Sequence, residues 1–128
     1  MAGTATPIFL LSMPPPWAVP LLAALWFVAL VGVVAKVTSF HSVGRLTSML
    51  YAMSAASVLI VVPFMIVDGR ILALSLLLAG GAAYVGGASV LIRNVPNPWP
   101  ATFGYHEVWH TFTLIAAACH VVMVVALI

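Results

Sequence analysis

Charge is nearly missing from this 128-residue chain. Lys, Arg, Asp and Glu together make up 5% of it, against about 25% in an ordinary soluble domain. Only Asp68 and Glu107 are acidic, and only Lys36, Arg45, Arg70 and Arg93 are basic, while 65% of the residues are apolar. That composition excludes a soluble globular domain and implies a lipid bilayer as the main partner. The net charge of +2 then reports membrane topology instead of a nucleic-acid surface, so no nucleic-acid partner is expected. Cysteine is as scarce as charge. Cys119 stands alone inside an apolar run, which excludes an intrachain disulfide framework and reads as small apolar filler. The first sixteen residues, MAGTATPIFLLSMPPP, lack a positive segment and end in a proline triplet, so they make a poor signal peptide.

The few charges leave four uncharged stretches, each near the roughly 20 residues a helix needs to cross a hydrocarbon core. Spans are expected at about 17–35, 46–67, 71–92 and 105–128. A barrel would need alternating polarity, which these stretches lack, so the fold class is all-α, a polytopic transmembrane helix bundle with four spans. Residues 1–16 read as the tail of a preceding helix ending at Pro7, an apolar interfacial segment, and a turn at Pro14-Pro15-Pro16. Pro20 is tolerated in the opening turn of the first span. The turn Asp68-Gly69-Arg70 is short enough to join the second and third spans as a helical hairpin. The last loop, RNVPNPWPAT, carries three prolines and places Trp99 at headgroup level. Positive charge in short loops faces the cytoplasm, which puts Lys36, Arg45 and Arg93 inside, Arg70 outside and both termini outside. In the third span, Ala79, Ala83 and Gly87, with Ala82 and Gly86 beside them, are expected to form a small-residue packing face.

The stretch FGYHEVWHTF contains His106-Glu107-Val108-Trp109-His110, a letter-for-letter H-E-x-x-H. Residues four apart lie on one face of a helix, so His106 and His110 can reach one metal ion. A zincin needs a third ligand. His120 lies ten residues beyond His110, about 15 Å along a helix axis, and cannot share that metal; it reads as a polar contact to a neighbouring helix. Asp68-Gly69 resembles the distant ligand of an intramembrane metalloprotease, but the loop charges put Asp68 on the opposite membrane face, about 30 Å away. His41 lies in the loop after the first span. Glu107 points about 100° from His106 on the helix. It reads either as a zincin-type base or as a partner for Arg93 or interfacial water.

FGYHEVWHTF followed by LIAAACH closely resembles the last helix of the hemolysin III family, within the progestin and adipoQ receptor superfamily, whose seventh helix carries H-x-x-x-H. AGTATP, Ala2 to Pro7, is similar to the family's AGTYTP at the end of its third helix, and LLLAGGAAYVGG is similar to its sixth. The three motifs stand in the family's order and together cover essentially the whole chain. The resemblance implies a seven-helix membrane protein with zinc near the cytoplasmic side, in a bacterial cytoplasmic membrane. It makes His106 and His110 the zinc ligands. It also implies that this chain is a truncated seven-helix fold, a fragment with the equivalents of helices four to seven, beginning after the helices that carry the superfamily's third His and its accompanying Ser and Asp.

Superfamily members are linked to zinc-dependent lipid amide hydrolysis and receptor signalling, and bacterial members to membrane lysis. The resemblance therefore implies zinc as cofactor, a lipid substrate, and other membrane helices or further copies of the chain as partners. Against it stand an inert membrane fragment or packing subunit with no metal, and an intramembrane H-E-x-x-H protease.

Overall fold

The computed structural model describes residues 2–38, 44–99 and 102–128, with the side chains of 44–48 left aside. The expectations for His41 fall outside the described residues. In chain order the helices are α1 (Ala2–Ser12), α2 (Pro15–Thr38), α3 (Gly44–Ala56), a 3-10 segment (Ser57–Val61), α4 (Val62–Val67), α5 (Ile71–Arg93) and α6 (Tyr105–Leu127). Four helical stretches, Pro15–Thr38, Met49–Val67, Ile71–Arg93 and Tyr105–Leu127, are long and apolar enough to cross a membrane. The all-α helical architecture expected from composition is the one observed. Residues 1–69 and 70–128 form two compact units, each described by itself.

In the first unit, α1 does not end at Pro7 but runs on to Ser12. Pro7 forfeits the bond its N–H would make to Gly3, one helical link. The helix continues because Ala5, Ile8, Phe9 and Ser12, one face at i, i+3, i+4 and i+7, are all buried against α2 and the 3-10 segment. Trp26 Nε1 on α2 donates to Thr6 Oγ1 at 3.1 Å, and Thr6 Oγ1 donates to the Ala2 carbonyl at 2.9 Å. The polar part of AGTATP therefore stitches α1 to α2.

Helix α2 starts at Pro15, two residues before the expected span. The Pro14 carbonyl accepts from Trp17 and Ala18 at 3.0 and 3.1 Å, so Pro15 and Pro16 take helix positions that need no N–H. This earlier start moves Pro20 into the second turn, where it gives up a bond to the Pro16 carbonyl.

The second membrane-length stretch is broken where the sequence reading expected a continuous helix. Pro63 cannot donate to the Leu59 carbonyl; Val62 N–H takes that acceptor one residue early, which is 3-10 geometry. Ser57 Oγ donates to the Ser54 carbonyl at 2.8 Å and Ser54 Oγ to the Leu50 carbonyl at 2.7 Å, tightening the same turns. Val61 and Met65 on either side are fully buried. At the end of this unit Gly69 takes a left-handed φ of 67°, a conformation costly for a residue with a Cβ.

The second unit is the antiparallel pair α5 and α6. The α5 residues Ala73, Leu77, Gly80 and Gly87 and the α6 residues Ala116, His120 and Met123 are buried. A Cβ on Gly80 would stand 2.6 Å from His120 Nε2, and one on Gly87 would stand 2.9 Å from Phe112 Cβ. The two backbones approach this closely because glycine faces the partner's large side chains. Of the small-residue face expected from sequence, Gly87 is buried at the contact and a Cβ on Gly86 would stand 3.2 Å from the Phe112 ring, whereas Ala79 and Ala82 are exposed and Ala83 is half-buried. The buried row advances by four residues from Ala73 to Leu77, three to Gly80 and seven to Gly87, as a helix-facing seam does. Elsewhere the exposed surface is apolar, with Trp26, Phe27, Leu30, Leu114 and Val121 among the exposed large side chains, as lipid contact requires.

Candidate metal centre at the start of the last helix

The loop before α6 fixes where that helix begins. Asn94 closes α5 in a left-handed conformation with φ 55°, and the Val95-Pro96 bond is cis. Trp99 and Phe103 exchange backbone hydrogen bonds at 3.1 and 2.8 Å, and their rings meet edge to face at 6.4 Å. Gly104 is the N-cap of α6. Its own N–H donates to Glu107 Oε2 at 2.8 Å, and Tyr105 N–H donates to Asn97 Oδ1 at 3.2 Å. Two donors at the helix start are thus satisfied by side chains. A Cβ on Gly104 would stand 2.7 Å from Asn97 Oδ1, so the cap depends on a glycine there. The negative charge of Glu107 also sits at the positive end of the helix dipole.

His106 and His110 follow one turn apart, both exposed. Their Nε2 atoms are 3.1 Å apart and the rings are perpendicular, at 87°. A hydrogen bond between them needs one Nε2 to carry a proton and the other to accept it. The same separation suits a shared ion. Two nitrogens bound to one tetrahedral zinc at about 2.05 Å stand about 3.3 Å apart, close to the observed 3.1 Å. The donor set therefore fits zinc as half of a site. Among the described residues no group of three His, Cys, Asp or Glu side chains could hold a metal ion.

Trp109 lies against both histidines, with ring centroids 5.5 Å from His106 and 4.5 Å from His110. The other side of Trp109 meets α5, since its Cδ1 lies 3.2 Å from where a Gly87 Cβ would be. Trp109 thereby connects the imidazole pair to the helix–helix seam. Sequence reasoning missed this although Trp109 lies inside HEVWH; the available signal was its spacing, three residues after one histidine and next to the other. Asn97 was also missed. Its contact depends on the loop path, for which no short motif stands.

The remaining candidates lie elsewhere. The Glu107 carboxylate is committed to the helix start. Arg93 ends α5 and is exposed. His120 is buried beside Gly80 and lies 5.8 Å from the Tyr84 ring. The polar contact to a neighbouring helix expected of it is directed at the backbone of Leu77 on α5, although neither buried ring nitrogen reaches full hydrogen-bond geometry among the described residues. Asp68 lies in the first unit and takes its place at the Gly69 turn, where its N–H donates to the Phe64 carbonyl at 2.9 Å.

The family profile described as "Haemolysin-III related" matches residues 1–121. "Hemolysin-3" of Bacillus cereus is 27% identical over 118 residues, covering 92% of this chain and 51% of that protein. The chain thus spans about half the length of this relative. No solved structure matches it. The membrane-length helices and the match over nearly the whole sequence make this a multi-pass integral membrane protein, and the chain belongs to the Haemolysin-III-related family.

Proposed function

We propose that this chain supplies two ligands, His106 and His110, to a zinc site at the membrane surface, and that the complete site hydrolyses a lipid amide. The observation that carries the reading is the 3.1 Å approach of the two Nε2 atoms. Depth supports the substrate class. His106 and His110 are the second and sixth residues of α6, within about 9 Å of its start along the axis. The polar layer of a bilayer leaf is about 5–8 Å thick, so the pair stands where headgroups join acyl chains. Trp99, largely exposed just ahead of the helix, suits the same interface. Arg93 in that loop favours its placement on the cytoplasmic side.

Zinc held by three imidazoles supplies a bound water with a pKa near 7 and polarises an amide carbonyl. The protein's part is to hold the nitrogens ready. The cap formed by Gly104, Glu107 and Asn97 fixes the first turn, and Trp109, seated against Gly87 of α5, braces both rings. Glu107 serves this reading as a cap and is not assigned the role of base.

The test is metal content and turnover of the full chain in lipid nanodiscs. Zinc titrated into the wild type should bind and should be lost by both His106→Ala and His110→Ala, and hydrolysis of a fluorescent N-acyl lipid by the protein with a completed site should follow the metal. Zinc content unchanged in both variants would remove the reading.

A further inference from the structure

We infer that Trp109 is a positioning residue through which zinc occupancy and the packing of α5 against α6 control one another; this rests on the zinc reading above. His106 and His110 are exposed, so each side chain has other staggered rotamers open to it that would separate the two Nε2 atoms. Trp109 removes part of that freedom. Its ring lies 5.5 Å from the His106 ring and 4.5 Å from the His110 ring, tilted by 47° to each. Neither imidazole can swing into the space the indole fills.

The indole is held in turn by α5, which supplies none of the proposed ligands. A Cβ on Gly87 would stand 3.2 Å from Trp109 Cδ1 and 3.5 Å from the Trp109 carbonyl, so the bare glycine backbone is the wall of the indole's seat. Phe112 closes the same seat, with its Cβ against Gly87 and its ring edge against Gly86. If α5 draws away, the indole loses that wall and the histidines lose the surface that confines them. A confined ligand pair has less rotamer freedom to give up when an ion binds, so it binds the ion more tightly. Linkage makes the effect reciprocal. Any affinity that zinc gains from the packed helices returns as added stability of that packing when zinc is bound.

The experiment titrates zinc into the metal-free full chain in detergent micelles, with bound zinc read by competition with a chelating dye and deuterium uptake followed along the helices. Trp109→Ala should weaken zinc binding by about tenfold, and Trp109→Phe should recover most of the loss because a ring again fills the seat. Zinc should slow exchange in α5 of the wild type while leaving α2 unchanged. In Trp109→Ala saturated with zinc, that protection of α5 should disappear. In a Trp17→Phe, Trp26→Phe, Trp99→Phe background the remaining emission comes from Trp109 and should change in step with zinc, and His106→Ala should abolish the change. Wild-type zinc affinity in a folded Trp109→Ala chain would overturn the coupling and leave the zinc reading standing. If that variant fails to fold, wild-type α5 exchange indifferent to bound zinc would overturn it alone. No zinc bound through His106 and His110 would remove the coupling and the reading beneath it together.

Discussion

Replacing Gly87 by alanine adds a single carbon at the tightest backbone-proximal contact of the α5–α6 pair. That carbon would stand 2.9 Å from Phe112 Cβ, 3.2 Å from Trp109 Cδ1 and 3.5 Å from the Trp109 carbonyl. Carbon atoms prefer about 3.5–4.0 Å. A rotamer change cannot clear Phe112 Cβ, because that atom is fixed by the α6 backbone, so the helices must separate by about 0.6 Å or more. Overpacking of this kind costs about 1–3 kcal/mol. Alanine also favours the helix over glycine by about 1 kcal/mol, which masks part of the cost. Gly81 provides the control, since a Cβ there meets nothing within 4 Å. The difference between Gly87→Ala and Gly81→Ala cancels the intrinsic helix preference and should be about 1–3 kcal/mol. Reversible unfolding in mixed micelles, followed by far-UV circular dichroism, measures it. Because Trp109 braces both histidines, Gly87→Ala should also weaken zinc retention while Gly81→Ala leaves it intact. Equal stability of the two variants would show that the helices are not held at this distance, and the reasoning would fail.

Removing the Asn97 acceptor by Asn97→Ala should cost about 1 kcal/mol of stability, the usual value of a lost helix cap, and Glu107→Ala should cost a similar amount. Glu107→Gln keeps an acceptor oxygen and should be nearly neutral in melting and in zinc content; complete loss of zinc in Glu107→Gln would assign the carboxylate to the metal. His120→Ala should retain zinc yet lower stability, because the imidazole fills the space against Gly80; combined with Gly80→Ala, it should lose less than the two single variants summed, as a double-mutant cycle in thermal melting would reveal. Trp26→Phe removes the donor to Thr6 and should cost about 1 kcal/mol without altering zinc binding. In a Cys119→Ser background, Val95→Cys should resist a membrane-impermeant maleimide applied to intact cells, and strong labelling would reverse the proposed orientation.

The helical class and the approximate helix positions were legible because charge is so rare that its few sites punctuate the chain. The phase of each helix was legible only in part: Gly87 was placed on the contact face and Gly80 was not. A helix apolar on all sides carries no polar stripe to say which face is buried, so Ala79 and Gly80 look alike until a partner is supplied. What selects Gly80 and Gly87 is the bulk of His120, Phe112 and Trp109 on another helix, and that information is distributed over residues more than twenty positions away. Pro63 was visible, yet its effect depends on whether Val62 N–H can take over the Leu59 carbonyl. The histidine pair was legible for the opposite reason: its geometry is local, set by one turn of helix.

Glu107 shows why a matching motif still left a choice. It is the second letter of H-E-x-x-H and also the third helical residue after Gly104. The first position suggests a catalytic carboxylate; the second suggests a cap that bends back to the chain entering the helix. Both readings use a helix beginning near Tyr105, so periodicity alone cannot separate them. The 2.8 Å bond from Gly104 N–H to the carboxylate satisfies the second, and the same bond fixes the turn from which His106 and His110 project. In this chain the acidic letter of the motif is held by the backbone at the helix start.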